Sequence, residues 1–138
     1  MINPQIILFL FVLIIGLGLL FWIVVSSNRG SRLDREDFAK RWRRIEVLRG
    51  QGETAWQLAI IEADKLLDQA LQANGYPGKT MGERLRDARS ALADNDGVWQ
   101  AHKLRNQIAH ENDVRLNKIS VDRALGKFKA ALKSLGAL

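Results

Sequence analysis

The 138-residue sequence predicts an all-α protein, with one N-terminal transmembrane helix followed by a cytoplasmic antiparallel bundle of about five helices. Three observations support this fold class. Residues 6–25 form a run of 20 without a charged side chain, whereas all 21 basic and 15 acidic side chains come later. After the run, apolar residues recur at helical spacing, and no stretch of alternating β-branched residues predicts a strand. A single apolar run excludes a channel or transporter with several spans.

Residues 1–28 are predicted to be a membrane anchor, with its span at about residues 6–25. A helix of this length rises about 30 Å, which matches the hydrocarbon core of a bilayer. The alternative is a cleaved secretory signal. Against it, no basic residue precedes the run, the run is longer than a signal core, and no A-x-A site follows.

Residues 29–52 are predicted to be a basic juxtamembrane helix and linker. The segment Arg29–Arg49 has eight basic and four acidic side chains, which is a net +4 of the total charge of +6. By the positive-inside rule, the N-terminus lies outside and the C-terminal domain lies in the cytoplasm, at the cell membrane. We expect this segment to contact anionic lipid headgroups. The chain has no cysteine, which is compatible with the cytoplasm.

The apolar spacing after residue 33 divides into five helical stretches. Gly75 is the expected C-terminal cap of the second helix, Thr80 and Glu83 form a capping box for the third, and Ser120 caps the fifth. The connections are short, so neighbouring helices are expected to pack antiparallel. The predicted helices cover about residues 34–49, 53–74, 81–93, 98–110 and 121–135.

Most catalytic templates do not fit this sequence. Without cysteine there is neither a thiol nucleophile nor a thiolate metal site. Gly78 begins a Gly-Lys-Thr sequence, but Ala73 stands where a phosphate-binding loop requires its first glycine. The two histidines, His102 and His110, are eight residues apart and supply too few ligands for zinc. We therefore expect no metal and no cofactor.

Polar side chains share one face of the fourth predicted helix. At about 100° per residue, Asn106 lies about 40° and His110 about 80° from His102, while Arg105 lies about 60° to its other side. Trp99 falls on the same side as His102 and Asn106. An ordinary interpretation is a polar stripe at the edge of a bundle, and it stays open at this point.

The segment Lys103–Glu111, with the sequence KLRNQIAHE, resembles the signature of the HEPN superfamily of small helical domains. The matching residues are Arg105, Asn106 and His110, with four residues between the arginine and the histidine. The resemblance covers about residues 53–138, which we therefore interpret as a HEPN-like helical bundle.

This resemblance implies one of two functions. In catalytic members, the motif is a metal-independent ribonuclease site assembled across a homodimer, which makes Arg105, Asn106 and His110 the catalytic candidates and RNA the substrate. His102 and Trp99 are the candidate supporting residues. Other members are binding or assembly modules, which would make the chain a non-catalytic, membrane-tethered scaffold. The sequence leaves open whether the protein is an enzyme.

Overall fold

The computed structural model describes residues 3–27 and 33–138, and within these ranges the chain is helical without strands. The all-α prediction is therefore confirmed for the described part of the chain. A short 3₁₀ turn, Arg89–Ala91, follows the fourth helix. The α-helices are α1 (Pro4–Ser27), α2 (Arg35–Gly50), α3 (Glu53–Ala73), α4 (Met81–Asp87), α5 (Asn95–His110) and α6 (Lys118–Ser134).

Helix α1 is long and apolar enough to cross a membrane. Its segment Pro4–Ile23 has a mean hydropathy of 3.1, and none of it is buried against protein. A helix that is apolar on every side suits a lipid environment, because no face is reserved for water. The predicted span at residues 6–25 falls inside α1, and the contacts divide the chain into two units, Met1–Gly30 and Ser31–Leu138.

Helices α2 to α6 pack around one hydrophobic core, with α3 in contact with each of the other four. Of the side chains predicted to face inward on α3, Ile60 and Leu67 are fully buried, whereas Trp56 is half-buried. The bundle predicted from apolar spacing is thus present. The largest fully buried side chains are Phe128, Ile60, Leu66, Leu67, Leu71, Leu85, Leu132, Val98 and Val121.

Helix α2 belongs to the same core as the helices that follow it. Asp34 caps its N-terminus by accepting hydrogen bonds from two backbone N–H groups of the first turn. Phe38, Trp42 and Ile45 are buried in the core shared with α3 to α6. The basic juxtamembrane segment therefore contributes a structural helix to the bundle.

Two predicted helix starts are wrong by about three residues. α5 begins at Asn95, not at Val98, because the Asp94 side chain accepts a 2.9 Å hydrogen bond from the N–H of Gly97 and caps the helix earlier. α6 begins at Lys118 with Asn117 as its cap. Ser120 instead occupies the third position of the helix, where its hydroxyl accepts a hydrogen bond from the N–H of the cap residue Asn117 and completes a capping box.

Helix α4 is shorter than the predicted stretch to residue 93. It ends at Asp87, and a 3₁₀ turn continues the chain. The apolar residues predicted to face inward are all buried: Met81 and Leu85 on α4, and Ala88 and Leu92 on either side of the 3₁₀ turn. Burial was therefore predictable here, whereas the type of helix was not.

The capping box predicted at the start of α4 is half correct. The Thr80 hydroxyl accepts a 3.2 Å hydrogen bond from the Glu83 N–H. The Glu83 carboxylate accepts from the N–H of Lys79, at 2.6 Å, and not from that of Thr80. Gly78 has a φ of 147°, and a Cβ there would lie 2.8 Å from the Glu83 Cβ, so this turn requires glycine.

Candidate functional site

A cleft of about 500 Å³ lies between α3, the start of α4 and α5. Asp64 and Asp68 come from one face of α3, since residues four apart lie one above the other on a helix. The opposite wall comes from α5. The lining residues are Ile61, Asp64, Lys65, Asp68, Thr80, Met81, Gly82, His102, Arg105 and Asn106.

Asp64 is the buried centre of the polar side chains in this cleft. It is only 4% exposed, and its Oδ1 lies 2.8 Å from Nδ1 of His102, which is itself only 9% exposed. A buried carboxylate is costly unless it is paired or hydrogen-bonded. The contact with His102 therefore ties α3 to α5 through a polar pair inside the bundle.

The hydrogen bonds of Asn106 define the tautomer of His102. The amide Nδ2 of Asn106 lies 3.3 Å from Nε2 of His102, and an amide nitrogen can only donate. Asn106 Oδ1 in turn accepts from Nη1 of Arg105 at 3.1 Å, which supports this orientation of the amide. Nε2 of His102 is therefore the acceptor, and Nδ1 carries the proton that is donated to Asp64.

Arg105 is held less completely than His102. Its Nε lies 3.3 Å from Asp64 Oδ2, close enough for an ion pair. The N–H is not directed at that oxygen, and among the described residues the buried Nε has no hydrogen-bond partner. About a third of the side chain, 34%, is exposed. The guanidinium thus brings a positive charge and unused donors to the cleft.

The second carboxylate of the cleft, Asp68, is neutralised by Arg84. Nε and Nη2 of Arg84 donate to the two oxygens of Asp68 at 2.7 and 2.9 Å, and Nη1 donates to the carbonyl oxygen of Gly78. Gln72 donates a further hydrogen bond to Asp68, at 2.8 Å. Both acidic residues of the cleft thus lie beside arginines. The exposed Lys65 also lines the cleft, and it forms no ion pair with any described acidic residue, so its positive charge is not neutralised.

His110 lies outside this cluster. It is the last residue of α5, it is exposed, and it does not line the cleft. It follows Arg105 by five residues, or about 7.5 Å along the helix axis. The structure therefore brings Arg105 and Asn106 together with His102, and it leaves His110 at the end of the helix.

Trp99 supports the ring of His102 from one side. The two rings meet edge to face, with their centroids 6.0 Å apart and an angle of 78° between their planes. Gly82 lies against the far edge of the indole, where a Cβ would be 3.4 Å from Trp99 Cη2. Trp99 is half-buried, so it is a neighbour of the cluster with a partly open face. Its functional role stays a prediction.

Asp64 is the member of the cluster that the sequence did not reveal. It lies beside Ala63 and one turn after Ile60, within a stretch of α3 where most side chains are buried. An acidic residue within the apolar stripe of a helix requires a buried partner, and this signal was available in the sequence. The identity of that partner depends on how α3 packs against α5.

Comparison with known proteins adds no further assignment. No family model matches the chain, and no curated protein or solved structure matches it. The resemblance of Lys103–Glu111 to the HEPN superfamily therefore rests on the motif alone.

Proposed function

We propose that the chain is a membrane-anchored, HEPN-type endoribonuclease that cleaves RNA as a homodimer without a metal ion. The observation that carries this proposal is the state of Arg105. Its guanidinium lies beside the buried Asp64, is one third exposed, and lines the cleft. The exposed part of a guanidinium can bind a phosphate oxygen, because arginine presents its N–H donors in a planar fork that matches phosphate.

The chemistry requires a proton acceptor, a proton donor and a cation, and these residues can supply them. RNA carries its own nucleophile, so the 2′-hydroxyl attacks the adjacent phosphorus, the bond to the 5′-oxygen breaks, and a 2′,3′-cyclic phosphate and a 5′-hydroxyl result. An imidazole exchanges protons near neutral pH, which suits His110 for moving the proton of the nucleophile or of the leaving group. Arg105 stabilises the additional negative charge of the transition state through forked hydrogen bonds.

Asn106 has a narrower role in this proposal than a direct contact with RNA. Its amide is bonded to His102 on one side and to Arg105 on the other. It therefore fixes the Nη1 end of the guanidinium, and a held cation needs less reorganisation when a phosphate binds.

A dimer is proposed because one copy leaves the motif divided. Arg105 lines the cleft, and His110 is exposed beyond it at the end of α5. In a two-fold dimer the same surface meets itself, so His110 of one copy can approach the cleft of the other. Each of the two sites would then combine residues from both subunits.

Helix α1 would hold this dimer at the cell membrane, with the N-terminus outside and the bundle in the cytoplasm. The apolar α1 supports the anchor, and the basic residues that follow it support the orientation by the positive-inside rule. RNA is a cytoplasmic substrate, so the proposed topology and the proposed activity agree.

The test is metal-free cleavage by the full chain in detergent, with EDTA present and a fluorescent single-stranded RNA as substrate. His110→Ala is expected to lower the cleavage rate by about 100-fold or more, because a positioned acid or base contributes about that factor. The matched control is Gln107→Ala, another exposed position on α5, which should cleave like the unmodified protein. Equal cleavage rates for His110→Ala and the unmodified chain would refute the proposed ribonuclease activity.

Mixing variants tests whether the two copies share their sites. Arg105→Ala and His110→Ala should each be inactive alone, but a mixture should regain about a quarter of the activity, because half of the dimers are mixed and each of these has one intact site. Circular dichroism shows whether each variant is folded. A mixture that stays inactive while mixed dimers form would contradict the shared site.

A second candidate function is a non-catalytic, membrane-tethered scaffold, and a specific observation favours it. His102, Asn106 and Asp64 bond one another between α3 and α5, which is what a purely structural network would also do. This candidate predicts that Arg105→Ala destabilises the bundle or the dimer and that no RNA is cleaved. The same experiments therefore distinguish the two functions.

A further inference from the structure

We propose that α2 carries a docking surface for an anionic bilayer, formed by Lys40, Arg43, Arg44 and Val47. We call these four residues the basic face. The proposal concerns how the bundle lies against lipid, and it does not depend on any ribonuclease activity.

The basic face lies opposite the buried face of α2. At about 100° per residue, its four members fall within an arc of about 100°. Phe38, Trp42 and Ile45, which are buried in the core, lie on the other side of the helix. The basic face therefore points away from the bundle along about two turns of helix.

The cations of the basic face have no ion-pair partner within the described part of the chain. Lys40, Arg43 and Arg44 are all exposed, and none of them forms an ion pair with any residue that the structure describes. Three unpaired cations in a row at helical spacing form a local positive patch that attracts negatively charged lipid headgroups.

Two other arginines of α2 are paired. Arg41 pairs with Asp37 at 3.7 Å, and Arg49 pairs with Asp122 of α6. Within the arc of the basic face, the acidic residue is Glu36, which lies in the first turn of the helix, four residues before Lys40. Arg41 thus lies beside the basic face, whereas Arg49 lies on the opposite side of α2, toward α6, and the centre of the basic face is left positive.

Val47 adds an apolar contact to this patch. It is 61% exposed, although a valine on a surface helix is normally turned toward the core. A branched apolar side chain between cations suits the boundary between headgroups and acyl chains, where amphipathic surfaces bury their apolar residues. In bulk water the apolar side chain of Val47 would stay exposed and gain no such stabilisation.

The length of the chain between α1 and α2 makes the bilayer the preferred occupant. Only residues 28–34 separate the two helices. Even a fully extended segment of this length reaches no more than about 28 Å. With α1 in a membrane, the start of α2 stays within that distance of the headgroups, so the local concentration of lipid is high. RNA, the other polyanion that fits such a patch, has no comparable tether.

The natural absence of cysteine permits a direct test with a single label. Val47→Cys carries an environment-sensitive fluorophore, and the full chain is inserted into nanodiscs that contain nitroxide-labelled lipid as a quencher. We expect strong quenching in discs of phosphatidylcholine with phosphatidylglycerol, weak quenching in phosphatidylcholine alone, and loss of the difference in high salt. Equal quenching in both kinds of disc, or none in anionic discs, would overturn the proposal.

Charge-matched variants test the role of the three cations. Lys40→Gln, Arg43→Gln and Arg44→Gln together should lower the ratio of docked to undocked molecules by on the order of 100-fold at low salt, since each basic residue near an anionic surface contributes about fivefold. The control replaces Arg86, Arg89 and Lys103 by Gln. These residues are exposed and outside the described ion pairs, and their loss changes net charge equally.

The same variants also distinguish lipid from RNA as the ligand. RNA binding is measured by anisotropy in phosphatidylcholine discs, where no anionic lipid competes. If the triple variant loses RNA binding but keeps its quenching in anionic discs, the basic face serves RNA and the proposal is wrong. If quenching is lost while the control triple variant keeps it, the basic face binds lipid.

Discussion

Asp64 and Asp68 lie one turn apart on the same face of α3, and both line the same cleft, but their bonding differs. Asp68 receives two parallel hydrogen bonds from Arg84, one on each oxygen. Asp64 receives one from the imidazole of His102 on Oδ1, while the guanidinium nearest its Oδ2 is not aligned for a hydrogen bond. The same residue type thus forms a closed pair at one position and an open one at the next.

This difference separates structure from candidate function. A bidentate pair between arginine and carboxylate is strong and geometrically specific, so the pair of Asp68 and Arg84 is suited to closing the turn at Gly78. The pair of Asp64 and Arg105 leaves donors unused on a partly exposed guanidinium, which can bind a phosphate without first breaking a strong bond. The first pair should therefore govern stability, and the second should govern activity.

The largest stability effect is expected from Arg84→Ala. The change removes two hydrogen bonds to Asp68 and one to Gly78, and it leaves a mostly buried carboxylate without its cation. We expect a loss of about 2–3 kcal/mol in the free energy of unfolding, measured by urea titration of the full chain in detergent. Arg86→Ala, which removes an exposed arginine two residues further along α4, should change the free energy of unfolding by less than about 0.5 kcal/mol. If both variants lost a similar amount of unfolding free energy, the pair of Asp68 and Arg84 would have no special structural role.

Asp64→Asn is expected to have a smaller effect on stability and a larger one on cleavage. Asparagine keeps an oxygen that can accept the Nδ1–H of His102 but loses the charge opposite Arg105. We expect a loss of about 1 kcal/mol in unfolding free energy and a drop of at least about tenfold in RNA cleavage. Asp68→Asn should show the reverse order, with a larger loss of stability and unchanged cleavage per folded molecule. If both variants lost stability and cleavage to the same extent, the proposed distinction between the two carboxylates would be wrong.

The half-buried carboxylate of Asp122 is expected to have the smallest effect on stability. Hydrogen bonds from Arg49 and then Lys118 hold its pKa below the ordinary value of 3.8. A lowered pKa in the folded state stabilises the protein above about pH 4, and this contribution is lost as the pH falls through the folded-state pKa. The melting temperature of Asp122→Asn should therefore fall less between pH 4 and strongly acidic conditions than that of the unmodified chain. Asp113→Asn, exposed and outside the described ion pairs, should follow the unmodified chain.

The helices of the bundle were predictable because their apolar residues recur at helical spacing, and burial of an apolar stripe is the main reason a helix forms in a bundle. The exact starts were less accessible. Asn117 and Ser120 are both good capping residues, and only the course of the chain before α6 decides which of them accepts the first N–H. The start of α5 was misjudged in a similar way. The polar residues Asn95–Gly97 resemble a loop between two helices, although Asp94 caps a helix that begins at Asn95.

The candidate site was predictable only along one helix. His102, Arg105 and Asn106 share a face of α5, so helical geometry alone brings them together. Asp64 comes from another helix 38 residues earlier, and its pairing with His102 depends on the register between α3 and α5. The catalytic role predicted for His110 remains a prediction, because it depends on a second copy of the chain.

The burial of Phe38, Trp42 and Ile45 from α2 determines where a protease could release the bundle intact. A cut between residues 28 and 33 would leave α2 with the core that it helps to build. A cut at Gly50–Gly52 would instead remove three large side chains from the interior and expose the apolar surface of α3. Two cuts only about 20 residues apart would therefore leave an intact bundle in one case and a substrate for degradation in the other.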